Sequence, residues 1–218
     1  MKLRTLAVVL MGFVAMCGTA GAFGLPSLGG GSKGASADPD GFLAKATKSE
    51  TLVNKSADQL FALVASKEEL AKVEALRAEL AKATSTEEKN AIMQKIQSTE
   101  MAVLGQAKAD KELVARAAAL DDKKKKQGQD ALYNFALGTK LAADLVPEGQ
   151  NLVSSMKSNP MMATKVGSVL DAVNKIGGIA SGGAKVVSAL PPVFSAAKID
   201  VKLPTSSSAE PVAMAGGM

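Results

Sequence analysis

The 218-residue chain has no histidine, no tryptophan, one tyrosine and one cysteine. Without an imidazole it has no Ser-His-Asp triad, no Cys-His pair and no histidine-ligated metal. Its single cysteine, Cys17, falls in a segment that reads as a removable leader. The remaining chain then offers no thiolate nucleophile, no cysteine-based zinc or iron–sulfur site and no disulfide. Aromatic residues make up 3%, so strands rich in Tyr and Phe are lacking and a β-sandwich or barrel is disfavoured. The glycine pairs Gly177-Gly178 and Gly182-Gly183 lack both the preceding strand and the following Lys-Ser/Thr of a phosphate loop. These absences predict no cofactor, no metal site and no catalytic residue. What remains for a core is Leu, Val, Ile, Met and Ala.

Lys2 and Arg4 head an uncharged apolar run over 5–17, and Ala20-Gly21-Ala22 supplies the small residues a signal peptidase reads. That pattern predicts a secretory signal peptide over 1–22, with cleavage before Phe23. The run is too short for a transmembrane helix, which needs about 20 apolar residues. Lipidation at Cys17 is the weaker alternative, because Met16 stands where a lipoprotein signal places a small residue. An exported chain without cysteine points to a bacterial periplasm or secreted fraction.

Residues 23–39 are rich in Gly, Ser and Pro and are expected to form a flexible leader. Residues 203–218 have the same character and are expected to be a disordered tail. A single helical domain is expected over 40–202. Asp40 can cap a first helix with its stripe at Ala46, Val53, Leu60 and Val64. Ser66 and Glu69 have capping-box spacing, so a second helix should start near Lys67 and carry Leu70, Val73, Leu76, Leu80 and Ala83 on one side. Ser85 and Glu88 repeat that spacing before a third stripe, Ile92, Ile96, Val103, Ala107, Val114 and Ala118; Thr99 and Asp110 interrupt it, so the helix is expected to be bent or in part solvent-facing. The pattern resumes at Asp130 with Leu132, Phe135, Leu141 and Leu145, and Pro147 predicts its end. A last stripe follows Asn159-Pro160, with Gly177-Gly178 expected to end or kink it and Pro191-Pro192 to close a further short segment. The expected fold is therefore an all-α bundle of about five or six helices.

Two features are candidates for function. Lys123, Lys124, Lys125 and Lys126 are a candidate anion patch, although Asp121 and Asp122 precede them at pairing distance and no aromatic is interleaved for stacking. The adjacent carboxylates Asp121 and Asp122 point about 100° apart on a helix and do not converge on one atom. In the segment 160–199, four lysines stand against one aspartate. There Val166, Val169, Val173, Ile176, Gly178 and Gly182 form a candidate membrane or partner face, its glycines allowing close helix approach. The favoured reading is an exported, non-enzymatic helical bundle that binds a protein partner or itself. The alternative is a lipid-associating helical protein, pore-forming or apolipoprotein-like in architecture only, that uses 160–199 on an anionic membrane surface. Nucleic acid is not an expected partner, since the chain leaves the cytoplasm and lacks stacking residues.

Overall fold

The structure is a computed structural model that describes residues 38–107, 111–159 and 162–214. The signal peptide expected over 1–22, and residues 23–37 after it, lie outside the described residues. The chain is all-α, with helices α1 (Pro39–Val64), α2 (Lys67–Lys82), α3 (Thr86–Gly105), α4 (Lys111–Ala118), α5 (Asp122–Lys157) and α6 (Ala163–Ala196). No strand occurs among the described residues.

The starts follow the cap chemistry of the sequence. Ser66 Oγ accepts from the Glu69 N–H at 3.2 Å, and Glu69 Oε2 accepts from the Ser66 N–H at 2.6 Å, the reciprocal pair that satisfies two donors at once. Ser85 caps α3 by accepting from the Glu88 N–H at 3.1 Å. The cap of α1 is Asp38 and not the expected Asp40, because Pro39, with its fixed φ and no N–H, takes the first helical position. Asp38 Oδ1 then accepts from the Gly41 N–H at 3.0 Å.

Three expected boundaries are absent. α5 begins at Asp122, eight residues before the expected Asp130, and continues through Pro147. Pro147 and Ala143, whose carbonyl loses its donor, are both exposed, so the unpaired carbonyl is on the solvent side of the helix and not in the core. α6 continues through Gly177-Gly178 and through Pro191-Pro192. The glycines cost about 1 kcal/mol each relative to alanine. Apolar burial on both sides offsets that cost: Val173 and Ile176 precede them, and Val186, Leu190, Val193 and Phe194 follow. The bend expected in the third stripe falls between α3 and α4, after Gly105, and Thr99 stays helical with its hydroxyl donating to the Lys95 carbonyl.

The long helices α1, α5 and α6 make the body of the bundle, and their contacts dominate the fold. One core cluster joins Phe42 and Ala46 of α1, Leu145, Val153 and Met156 of α5, and Val169, Val173 and Ile176 of α6. A second joins Leu60 and Val64 of α1, Leu104 and Leu113 near the α3–α4 link, Leu132 and Phe135 of α5, and Leu190, Val193 and Phe194 of α6. A third, smaller cluster seats the α2–α3 hairpin on Phe61 and Ala65 through Val73, Ile92 and Ile96. Every described phenylalanine is in the core. Lys45–Glu148 and Lys165–Asp40 tie helix surfaces at 2.9 and 2.6 Å. Arg116 of α4 donates to the Val64 carbonyl at 2.6 Å, covering the C-terminal end of α1.

α6 ends in a Schellman turn. The Lys198 N–H bonds to the Ser195 carbonyl and the Ile199 N–H to the Phe194 carbonyl, while Lys198 holds a left-handed φ of 59°. Glycine usually occupies that position. The turn sends the chain back onto the bundle, where Ile199 is buried beside Phe194. Residues 200–214 form neither helix nor strand. The composition does not reveal that Met214 is buried and that Val212 is hydrogen-bonded to Asn134.

Two stability predictions follow from close contacts. A Cβ on Gly183 would lie 2.3 Å from Thr139 Oγ1 and 2.7 Å from Thr139 Cγ2. Gly183→Ala should therefore destabilise by about 1–3 kcal/mol. Adding Thr139→Ala should recover most of that loss in urea unfolding; additive losses would show that this contact does not set the α5–α6 spacing. Lys198→Gly should raise stability by about 1 kcal/mol, because only the lysine bears a steric cost in the left-handed region.

Candidate functional site

α3 leans away from the α1–α6 pair along part of its length and leaves a groove of about 450 Å³. Its floor is apolar: Val53 and Ala57 of α1, Met101 of α3 and Ile179 of α6. Its walls carry carboxamides, with Asn54 from α1, Asn90, Gln94 and Gln97 from α3, and Asn174 from α6. Among the described residues none of these amides is engaged in a side-chain hydrogen bond. A second hollow of about 290 Å³ continues between α1 and α6 past Glu50 and Lys175, which line both. The groove is thus neutral in sum and without an aromatic surface. Amides that both donate and accept, over an aliphatic floor, suit the main chain and small side chains of another polypeptide.

The sequence candidates separate in space. Val169, Val173 and Ile176 are buried against α1 and α5, and Val166 is half-buried at the edge of the same cluster. Gly178 and Gly182 are on the other side of α6 and line the groove. Gly178 has open space where a Cβ would be, so its role there is to leave room, not to bring helices together. The six residues therefore do not form one face. Within the segment 160–199, residues Ala163–Ala196 form one continuous helix. Among the described residues no helix is long and apolar enough to cross a membrane.

The four lysines occupy the first turns of α5. Lys123, Lys124 and Lys126 are exposed and Lys125 is half-buried. Asp121 does not pair with Lys125; its side chain caps the helix by accepting from the Lys124 N–H at 2.8 Å. Lys126 pairs with Asp130 one turn on. Four consecutive helical residues fan around the axis, so their charges do not converge on one anion.

A carboxylate pair that the sequence reading does not name is brought together by three helices. Asp58 of α1 and Glu100 of α3 both bond the same Arg77 nitrogen of α2, at 2.9 and 3.2 Å. Arg77 thereby leaves the local α2 partner Glu74 that helical spacing offers. The Glu100 side chain is 1% exposed, whereas Asp58 and Arg77 are half in water. Burial, then the negative charge of Asp58, push the Glu100 carboxyl from its ordinary 4.5 up to about 8, against the opposing pull of Arg77. Glu100 is therefore protonated at neutral pH and can donate to Asp58. With the Glu100 carboxyl sealed and the guanidinium seated on both groups, the two carboxyls are not presented together to one substrate atom, and the arrangement acts as a clasp between α1, α2 and α3. The signal was present in the sequence: Glu100 continues the i+4 row Ile92, Ile96, Leu104.

The chain matches no family model, no curated protein and no solved structure.

The clasp gives stability an uncommon pH dependence. The folded protein keeps the Glu100 proton to about pH 8, while the unfolded chain releases it near 4.5. Between those values the folded state binds more protons, so this group's contribution is complete below 4.5, falls as pH rises, and is lost above about 8. Wild type compared with Glu100→Gln, by thermal unfolding from pH 5 to 9, should lose stability more steeply as pH rises. Parallel curves for the two proteins would remove Glu100 from that role.

Proposed function

We propose that the chain is an exported, non-enzymatic helical-bundle protein that serves as a binding or structural component of the cell envelope or secreted fraction. The observation that carries this reading is the amide-walled groove between α1, α3 and α6. It offers unengaged donors and acceptors above an apolar floor, the composition of a surface that holds another polypeptide. The sealed Glu100 carboxyl supports the non-enzymatic part of the reading, since acid–base chemistry needs a group within reach of a substrate proton.

The alternative, a lipid-associating protein, would use the apolar stripe of α6. Val169, Val173 and Ile176 are engaged with α1 and α5, which favours the first reading. On that reading the mature protein stays in the supernatant with anionic liposomes, and Val169→Asp unfolds it, because a lone carboxylate in an apolar core costs several kcal/mol. Liposome binding lost in a still-folded Val169→Asp protein would favour the alternative.

The groove itself is tested by site-specific photo-crosslinking in the native envelope or medium. A crosslinking side chain at Gln94 should give a discrete adduct, and one at the exposed Glu74 of α2 should give none. Equal labelling from both positions would argue against the groove. Intact mass of the same material should begin at Phe23; a chain retaining Met1 or starting at an acylated Cys17 would contradict the expected export route.

A further inference from the structure

Two of the wholly buried polar side chains on α1 and α5 are Ser56 and Asn134, each 0% exposed. Neither side chain bonds its own helix; both are directed at the last described residues. Asn134 Nδ2 donates to the Val212 carbonyl at 2.7 Å, and its Oδ1 accepts from the Val212 N–H at 2.9 Å. The Ser56 hydroxyl contacts the Met214 sulfur at 3.7 Å, and Met214 is 7% exposed.

This is a main-chain reading device. One carboxamide satisfies both backbone groups of a single residue, as a neighbouring strand would. The segment it holds is non-helical, and its burial alternates: Ala213 is exposed and Met214 is buried, the period of an extended chain. Pro211, just before the paired residue, has no N–H to satisfy. Specificity then comes from one side chain two backbone units along, the long apolar Met214. No charged residue of the segment 211–214 is involved.

The segment is also separable from the fold. The chain is anchored in the core at Ile199, packs against it again at Val201, and is next held at 212–214. The intervening ten residues, 202–211, form neither helix nor strand and are exposed or half-exposed. A linker of that length can span up to about 35 Å. The segment can leave its seat without disturbing a helix, and the seat stays built because Ser56 and Asn134 are carried by the two longest-packed helices, α1 and α5.

We propose that the face around Asn134 and Ser56 is a binding site for an extended, uncharged peptide that carries a long apolar side chain two residues after the one it pairs, and that residues 211–214 are the peptide it holds in cis. The partner it fits is a polypeptide presenting the same Pro-Val-x-Met pattern. A tethered segment competes at an effective concentration of about millimolar, so the site admits a partner only when the cis segment is displaced or weakened.

The test uses the full chain and a fluorescent synthetic peptide of residues 206–218. The double variant Val212→Pro, Met214→Asp removes the cis segment's donor and its anchor and leaves the seat intact. This variant should bind the peptide, measured by fluorescence anisotropy, at least tenfold more tightly than wild type. Asn134→Asp in the same background should lose that binding, because it replaces the donor to the carbonyl, and a peptide with Met214→Asp should fail on the unmodified seat. Circular dichroism establishes that each variant is folded; should Asn134→Asp unfold, Ser56→Val is read in its place and should weaken binding. A folded double variant that ignores the peptide overturns the proposal, as does binding unaffected by either seat mutation.

Discussion

The rest of the structure depends on how closely α5 lies against α1 and α6. A Cβ at Gly138 would come within 2.8 Å of Val53 Cγ2 and 3.0 Å of the Ser49 carbonyl, and at Gly149 within 2.5 Å of the Phe42 ring. At Gly183 the crowding residue is Thr139. With few aromatics to fill wide gaps, a dense interior needs short interhelical distances, and absent side chains supply them. The Gly138 crossing adds direction: Ser49 Oγ donates to the Gly138 carbonyl at 2.8 Å between two otherwise apolar surfaces. Once α5 is fixed on α1 and α6, α3 cannot close on the same faces everywhere. The groove is the space left over, and its glycine-lined α6 wall is the side of that helix not turned toward α5.

Helix existence was legible where it rests on local chemistry. The Ser66–Glu69 box and the Ser85 cap form as their spacing dictates, since a cap is settled within four residues. The stripes of α1 and α2 were legible for the same reason. Helix ends at Pro147, Gly177-Gly178 and Pro191-Pro192 were misread because proline and glycine express a local cost, whereas the decision is made by burial several turns away. Phe194, fully buried two residues after Pro192, shows the scale: one aromatic in the core outweighs two lost donors on a half-wet face. The candidate face on α6 was read as a unit because its members share a helix. Gly178 and Gly182 belong to a different surface, and only the positions of α1 and α3 reveal it.

Charge was legible in amount but not in pairing. The lysine run in α5 reads as a patch in one dimension and disperses around the axis in three. Arg77 has Glu74 three residues away on α2, yet it bonds Asp58 and Glu100, because there its guanidinium meets the Asp58 carboxylate and also supplies a hydrogen bond to the buried Glu100 carboxyl. Lys198 illustrates the converse. The turn that returns the chain to the bundle needs a left-handed residue, and the burial of Ile199 beside Phe194 is sufficient to place a lysine there.

The buried polar side chains explain how so uniform a core specifies one arrangement. Leu, Val, Ile and Ala pack in many registers at similar free energy. Among the described residues, five buried polar ones break that degeneracy: Ser49, Ser56, Glu100, Asn134 and Thr139. Four of them bond a different element, joining α1 to α5, α1 to the tail, α3 to α2, and α5 to the tail. Each bond is worth about 1 kcal/mol when made, while an orphaned buried group costs more, so the wrong register is penalised more than the right one is rewarded. Thr139 is the exception, since its Oγ1 is buried without a partner among the described residues. It faces Gly183, and a branched side chain against a glycine fills the crossing by shape. The hydroxyl there is a tolerated cost of fit, which places the α5–α6 spacing under steric control and leaves hydrogen bonding to set the remaining contacts.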